Sequence, residues 1–254
     1  MNGLPLRKAL CRKEVNEMRT VVLIPTRMAS KRFPGKPLFQ IRSPKGKKTV
    51  IEHCFGWVWS AGYETYVVSG DQEILDLFPD NAIRTFLDCR NGTERCFEAA
   101  RSLRLSPEDV VINVQGDVVS GSSIVLMSLV GRLRQRKEDV MTVVSSLSSE
   151  QYHDSNTVKA VVNSRSRGIF FSRLPLLSCP DVRAHVGIYG MSMRALSLYV
   201  SLGQCSWEQA ESLEQMRWLY CGYHMGVYMD TQESYSINTL ADVKRVEEKW
   251  MKIL

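Results

Sequence analysis

The sequence predicts an α/β fold, a largely parallel sheet with crossover helices that gives way to a mixed β region. Three observations carry this. Short apolar runs alternate with longer amphipathic stretches over residues 20–145, as strands joined by helices do. After about residue 150 strand patterns follow one another more closely. The apolar run Val21–Ile24 leads at once into a loop, residues 25–36, that carries cations, a Ser and a Gly. Ligands of open α/β sheets bind where such loops leave the carboxyl ends of strands.

Strand patterns fall at 20–25, 65–69, 82–86, 109–114 and 140–145, and helices are predicted at 49–61, 71–77, 92–104 and 121–136. Gly92-Thr93-Glu94 can open the third helix, whose free N–H groups favour an anion. Pro107-Glu108-Asp109 punctuates the entry to the strand Val110–Val114, which reads as central to the sheet. Further on, Val158–Val162 and Gly168–Phe171 predict a β-pair and Ala184–Tyr189 another strand, with helices near 191–201 and 206–221. In the second of these, Leu213, Met216 and Tyr220 stand at i, i+3 and i+7, a core-facing stripe. Thr239–Ile253 predicts a closing helix with Thr239 or Asn238 as its N-cap. The organisation expected is one domain, 20–254, with a β lobe inserted around 150–190. Residues 1–19 scatter charges among apolar positions, which predicts a flexible or tag-like extension and not a cleaved signal peptide.

With 254 residues, 44% of them hydrophobic, the chain can bury a substantial core. No apolar run approaches the ~20 residues that span a bilayer, so no membrane partner is expected. The seven cysteines are an odd number without a CxxC pair, which suits reduced thiols in the cytoplasm and excludes a disulfide framework. The formal charge of +6 comes from dispersed cations with no aromatic-interleaved stripe. An anionic small molecule is therefore the expected partner, and nucleic acid is not.

Backbone N–H groups of the 25–36 loop, with Arg and Lys beside them, suit a polyphosphate; the plainer reading is a solvated basic turn. Asp117 ends the run Asn113-Val114-Gln115-Gly116-Asp117. A carboxylate there, beside a phosphate loop, is placed to hold Mg²⁺ through hard oxygen ligands, against the alternative of an Asx-turn. Glu211 and Glu214, three apart with Gln215 adjacent, read on their own as a solvated helix face, and His185 as a packed histidine. No second His has metal-site spacing, which excludes zinc, and no nucleophile elbow supports acyl transfer.

Segments that include ASKRFPGKPL, NGTER, VINVQGD, FFSR, HVGIYG and LEQMRWL occur in one order over residues 20–250. In that order and spacing they resemble the 3-deoxy-manno-octulosonate cytidylyltransferases, also called CMP-Kdo synthetases. The resemblance implies a nucleotide-diphospho-sugar transferase fold, Rossmann-like and GT-A-like, with the β lobe used for sugar binding and dimerisation. It implies a Mg²⁺-dependent homodimer that couples CTP to the anomeric hydroxyl of an eight-carbon sugar acid and releases pyrophosphate. Carried over by position, Arg27, Ser30 and Lys36 bind the CTP phosphates, with Arg32 a weaker member of the group, and Thr93 and Arg95 shape the nucleotide pocket. Gln115, Arg173, His185, Tyr189, Glu214 and Gln215 surround the sugar acid. Arg27, Lys36 and Asp117 are the catalytic set, with Asp117 and Asn238 as metal-ligand positions. On this resemblance Glu214-Gln215 and His185 become functional.

Four departures from the family pattern stand out. Gln115-Gly116-Asp117 continues with Val118-Val119 where relatives usually have Glu-Pro, and Asn238 stands where the family's second metal-binding Asp is expected. Val68-Ser69-Gly70-Asp71 replaces an Ala-Thr-Asp pattern, and the stretch between Arg173 and His185 is shortened, with Leu174-Pro175-Leu176 in it. A cationic segment, Ser43–Lys48, is added after the first loop. Three readings follow: a synthetase for Kdo or a related 2-keto sugar acid, a cytidylyltransferase for another acceptor such as a phosphonate or alditol phosphate, and a catalytically impaired nucleotide-binding descendant.

Overall fold

The computed structural model describes residues 18–252, except Lys31, Lys45, Arg136, Lys137, Ser178 and Glu233. In chain order, β1 (Thr20–Pro25), a 3-10 turn (Lys36–Leu38), β2 (Gln40–Ser43), β3 (Gly46–Thr49), α1 (Val50–Trp59), β4 (Glu64–Ser69), α2 (Gln72–Leu75), β5 (Ala82–Arg84), α3 (Gly92–Ser102) and β6 (Val110–Val114) form the first half. The second half holds β7 (Val118–Ser120), α4 (Ser123–Arg134), β8 (Val140–Ser145), α5 (Ser149–His153), β9 (Lys159–Val162), β10 (Arg167–Ser172), β11 (Val182–Ser192), α6 (Met193–Ser201), α7 (Ser206–Glu211), α8 (Met216–Tyr220), β12 (Met225–Met229), β13 (Tyr235–Ser236) and α9 (Leu240–Met251).

Nine strands make one sheet in the order β5-β4-β1-β6-β11-β8-β12-β10-β9. β1 pairs in parallel with β4 and β6, and β8 with β12. β11 runs antiparallel to both β6 and β8, so those two share a direction. The carboxyl ends of β1, β4, β6, β8 and β12 therefore lie along one edge. Successive residues of a strand face opposite sides of its sheet, and β1 is apolar on both. Val21 and Leu23 pack with Ala99, Leu196, Tyr199 and Met216 of α3, α6 and α8, while Val22 and Ile24 pack with Ile51, Val58, Leu126 and Leu129 of α1 and α4. Each such side chain contributes about 1.5–3 kcal/mol on burial. These two helical layers thus fix the strands whose ends carry the site.

Helix starts follow local rules. Thr49 and Glu52 form a capping box at α1, Thr239 and Asp242 another at α9, and Asn91 caps α3 through Glu94 N–H. Within the predicted lobe, β9 and β10 continue the main sheet. β9 also pairs with the start of β11, so β11, β8, β12, β10 and β9 close into a ring of pairings.

Several expectations shift. The helix predicted over 206–221 is two short helices, α7 and α8, separated by a left-handed Ser212 at φ 53°. Leu213 and Met216 are buried as expected, but Tyr220 is 51% exposed and rests edge-on against Trp207. Unbroken, Glu211 and Glu214 would share a solvated face; the break turns Glu214 inward, where Thr93 N–H and Gln115 Nε2 satisfy its carboxylate. The added cationic segment is the hairpin β2–β3, and β7, β12 and β13 carry no period of their own. Residues 1–17 of the predicted extension lie outside the described residues. Arg19 belongs to the fold, bonded to Glu64, Asp109 and Leu103.

Candidate active site

A cleft of about 1370 Å³ opens at the carboxyl edge of the sheet. Small-molecule pockets are typically ~300–1,000 Å³, so this one has room for two reactants side by side. One wall is the loop after β1. The other is formed by Gln115 after β6, the start of β11 and the segment between α7 and α8.

The loop wall is held from behind. Thr26 N–H bonds Val68 O, and Met28 N–H bonds Asp71 Oδ2 at 2.9 Å. Gly35 N–H returns to Met28 O, which closes the loop around Pro34. This presents exposed Arg27 and Arg32 and half-buried Ser30 to the cleft. Lys36 is pinned there: Nζ lies 2.5 Å from Asp117 Oδ2 and 2.9 Å from Ile237 O. Arg32 donates to Asn156 Oδ1 at 2.8 Å and to Asn238 Oδ1 at 2.9 Å.

Val118-Val119 begin β7, which pairs with β13 two residues before Asn238. Val119 packs with Ile237, Val243 and Val246 and so holds α9 and the segment that carries Asn238, while Val118 faces the other way into the core beside Ile51 and Val125.

On the strand wall, Gln115 lies between two glycines. A Cβ at Gly92 would come within 2.8 Å of Gln115 Nε2, and one at Gly187 within 3.0 Å of its Cγ; neither position accepts a side chain without moving it. The β8–β11 register slips between Val186 and Tyr189, a bulge of the kind that re-aims side chains beside sites. The single proton of Thr142 Oγ1 goes to Ile188 O at 2.9 Å. His185 Nε2, 2.8 Å away, must therefore donate to Thr142, which leaves Nδ1 as an acceptor. Burial, then the charge of Arg173, pushes the His185 pKa down to about 3, so the ring is neutral at ordinary pH.

Tyr189 donates to Gln215 Oε1 at 3.0 Å. Gln215 is 2% exposed and its Nε2 has no hydrogen-bond partner among the described residues. A buried donor without an acceptor is costly, and Gln215 is one of the residues around the cleft. Glu214 receives Thr93 N–H at 3.0 Å and Gln115 Nε2 at 2.9 Å. Burial outweighs these bonds and raises its pKa to about 6. Arg173 faces Arg32, and burial together with that neighbouring cation lowers its pKa from the usual arginine value. Two guanidinium groups converging on one cleft favour an anion between them.

Arg27, Ser30, Arg32, Lys36, Asp117 and Asn238 thus meet on one side of the cleft, and Gln115, Arg173, His185, Tyr189, Glu214 and Gln215 on the other. Thr93 stands apart from both sets. It is buried beneath the cleft and acts through Glu214. Arg95 reaches the rim but uses its guanidinium on Thr85 Oγ1, Phe86 O and Leu87 O, so it braces that loop. Reading the residues alone missed Asp71, which ties the loop, Thr142, which sets the His185 tautomer, and Lys159, whose buried ammonium holds Asp154 O, Thr157 O and Arg173 O. A Lys in the middle of a strand pattern is the one sequence signal among these.

An α/β sheet with a cationic loop at the end of its first strand, opposite a cleft wall of neutral hydrogen-bonding groups, defines a nucleotidyltransferase. The comparisons narrow the class. A family model described as cytidylyltransferase matches residues 21–226. The 3-deoxy-manno-octulosonate cytidylyltransferase of Bacteroides thetaiotaomicron is 31% identical over 249 residues, covering 91% of this chain and 98% of its own length. The mitochondrial enzyme of that name from Arabidopsis thaliana is 35% identical over 257 residues, covering 95% of this chain and 86% of its own. The solved structure of a CMP:2-keto-3-deoxy-manno-octonic acid synthetase complexed with CTP superposes with a TM-score of 0.80 at 30% identity, covering 93% of this chain and 100% of that one. An inositol-1-phosphate CTP transferase from T. maritima, at 16% identity and a TM-score of 0.63, shares the fold. The chain belongs to the 3-deoxy-manno-octulosonate cytidylyltransferase family.

Proposed function

We propose that this enzyme joins the anomeric hydroxyl of Kdo, or a closely related 2-keto-3-deoxy sugar acid, to the α-phosphorus of CTP, with release of pyrophosphate and formation of CMP-Kdo, a step in supplying lipopolysaccharide sugar. The observation that carries it is the meeting in one cleft of the Arg27–Lys36 cations with an unpartnered buried donor, Gln215 Nε2.

Arg27, Ser30 and Lys36 grip the triphosphate. Arg173 pairs with the sugar carboxylate, which its planar fork suits. His185 Nδ1 accepts from a sugar hydroxyl, and Gln215 Nε2 donates to a sugar oxygen. Attack by the anomeric oxygen forms the new P–O bond as the bond to the β-phosphate oxygen breaks, and the hydroxyl's proton leaves to solvent or to the departing pyrophosphate. Lys36 stabilises the negative charge that gathers on pyrophosphate, and alignment of the two reactants supplies much of the remaining acceleration.

The donor set fits a magnesium ion that arrives on the nucleotide. Mg²⁺ is commonly held by one or two carboxylates together with substrate phosphates and waters. Lys36 holds Asp117 Oδ2, which leaves Oδ1 as an oxygen donor, and Asn238 Oδ1 accepts from Arg32. No cluster of three or more His, Cys, Asp or Glu able to cage a metal exists among the described residues. When bound, the ion would polarise the α-phosphate and neutralise charge on the leaving group.

A cytoplasmic homodimer completes the reading. The six described cysteines are free thiols, and Ile169, Leu174 and Leu177 leave apolar surface beside β10 for a second copy. No described helix is long and apolar enough to cross a membrane. The test is product identification by mass spectrometry after incubation with CTP, Mg²⁺ and, separately, Kdo, a phosphonate and an alditol phosphate. CMP-Kdo is expected. Product only with another acceptor transfers the assignment to that acceptor, and CTP binding without any product makes the chain a nucleotide-binding descendant.

A further inference from the structure

Arg217 has no exposed side-chain surface, yet it carries a full charge. Its Nε and Nη2 grip Glu208 at 2.7 and 2.8 Å. Nη1 and Nη2 reach Glu94 Oε1 at 3.4 and 3.3 Å, and Nη1 donates to Tyr199 O at 3.2 Å. The guanidinium carbon sits 4.0 Å from the centre of the Tyr199 ring. Burying such a cluster brings little net stability, because desolvation opposes the pairing and apolar side chains of similar volume do as well. What the cluster does supply is fixed geometry.

That geometry joins the two halves of the cleft. The Tyr199 hydroxyl accepts from Asn91 Nδ2 at 2.9 Å and donates to Glu214 O at 3.2 Å. Asn91 Nδ2 also donates to Glu208 Oε1 at 3.0 Å, while Asn91 Oδ1 caps α3. Glu214 in turn takes Thr93 N–H. The first turn of α3 is therefore tied to residue 214 twice, once through Tyr199 and once through the Glu214 carboxylate. Arg90–Gly92 and Arg95 on that turn and Gln215, next to Glu214, line the same cleft; on the functional reading above the turn borders the nucleotide and Gln215 the sugar acid.

We propose that the Arg217–Glu208–Tyr199–Asn91 cluster is a coupling element, with Tyr199 and Arg217 as positioning residues that make nucleotide binding and sugar-acid binding favour one another. The inference rests on the functional reading above. A ligand that orders the start of α3 orders Glu214 and Gln215 with it, and coupling between two sites is reciprocal by thermodynamic necessity.

The experiment is calorimetric titration of CTP into the full chain without divalent cation, so that no turnover occurs, with and without saturating Kdo. In the unmodified protein Kdo tightens CTP binding by about 5-fold or more, within the usual range of site-to-site coupling. Tyr199→Phe keeps the ring over Arg217 and removes only the hydroxyl bridge. It leaves only the Thr93–Glu214 tie, so the coupling falls well below that of the unmodified protein while the separate affinities change little, as expected for loss of an interaction between sites and not within one. Rescue of the fold without rescue of coupling distinguishes this from a structural role: circular dichroism and the melting transition stay near those of the unmodified protein. Arg217→Lys keeps the charge but cannot grip Glu208 and Glu94 together, and carries the same expectation, so misfolding of one variant leaves the other to decide. Full coupling in either folded variant overturns the proposal, as does independent binding of CTP and Kdo to the unmodified protein. Failure of CTP to bind at all overturns the functional reading itself.

Discussion

On the loop wall, Arg27, Ser30, Arg32 and Lys36 come from a single short stretch of chain, with Arg27 and Arg32 exposed and Lys36 half-buried against Asp117, whereas Gln115, Arg173, His185, Tyr189, Glu214 and Gln215 come from separate segments and are buried or half-buried. On the proposed function, the loop wall supplies positive charge for a triphosphate. The strand wall acts through preset hydrogen-bond direction: a neutral histidine with a fixed tautomer, an amide between two glycines, and a carboxylate whose proton is balanced near neutrality. A leaving group that gains charge needs the first kind of wall, and a polyhydroxy acid that must be oriented needs the second.

If this contrast is right, removing charge from the loop wall has the largest effect. Lys36→Met should lower the rate of pyrophosphate release by roughly 10²–10³-fold, the scale of losing one preorganised group at a developing charge. A loss under tenfold with saturating substrates would mean that Lys36 mainly neutralises Asp117.

Next comes Glu214. With its pKa near 6, activity at limiting sugar acid should fall as pH drops through about 6, because protonation removes an acceptor from Thr93 N–H and Gln115 Nε2. Stability has the opposite sign. The folded carboxyl holds its proton more tightly than the unfolded one, so its stabilising contribution is greatest in acid and is lost as pH rises through about 6. Glu214→Gln should therefore melt no lower than the unmodified protein at pH 8, yet show a raised KM for the sugar acid and lose that acid inflection.

His185 sharpens the same point with a smaller effect. Its ring should show no titration between pH 5 and 8 by nitrogen NMR and should carry the Nε2–H tautomer; an imidazolium signal in that range would contradict the neutral strand wall. At the small end, Asp71→Asn should raise the KM for CTP a few-fold, on the order of 1 kcal/mol for weakening one hydrogen bond to a charged group, with the KM for sugar acid unchanged.

The same contrast explains what was legible in the sequence. The loop wall is one uninterrupted motif after an apolar strand, and its position and chemistry can be read residue by residue. The sheet's parallel strands were equally plain, because β1 and β6 are apolar on both faces. The strand wall was legible only through resemblance to a family. Taken singly, His185 reads as a packed histidine and Glu211 with Glu214 as a solvated face, since nothing local announces that a left-handed Ser212 ends α7. That break is set by partners about 100 residues away, Thr93 and Gln115. Asp71, Thr142 and Tyr199 act through backbone groups or other side chains, and such roles leave no spacing to recognise. Val118-Val119 look in sequence like lost site residues, but in the structure Val119 seats α9 and Val118 packs into the main core.

The account is tested most directly by pyrophosphate release across the four ribonucleoside triphosphates, each with and without Kdo, at several Mg²⁺ concentrations. Release that requires CTP, Kdo and Mg²⁺ together is the predicted result. Release that proceeds equally without Kdo, or with none of the four nucleotides, would contradict it.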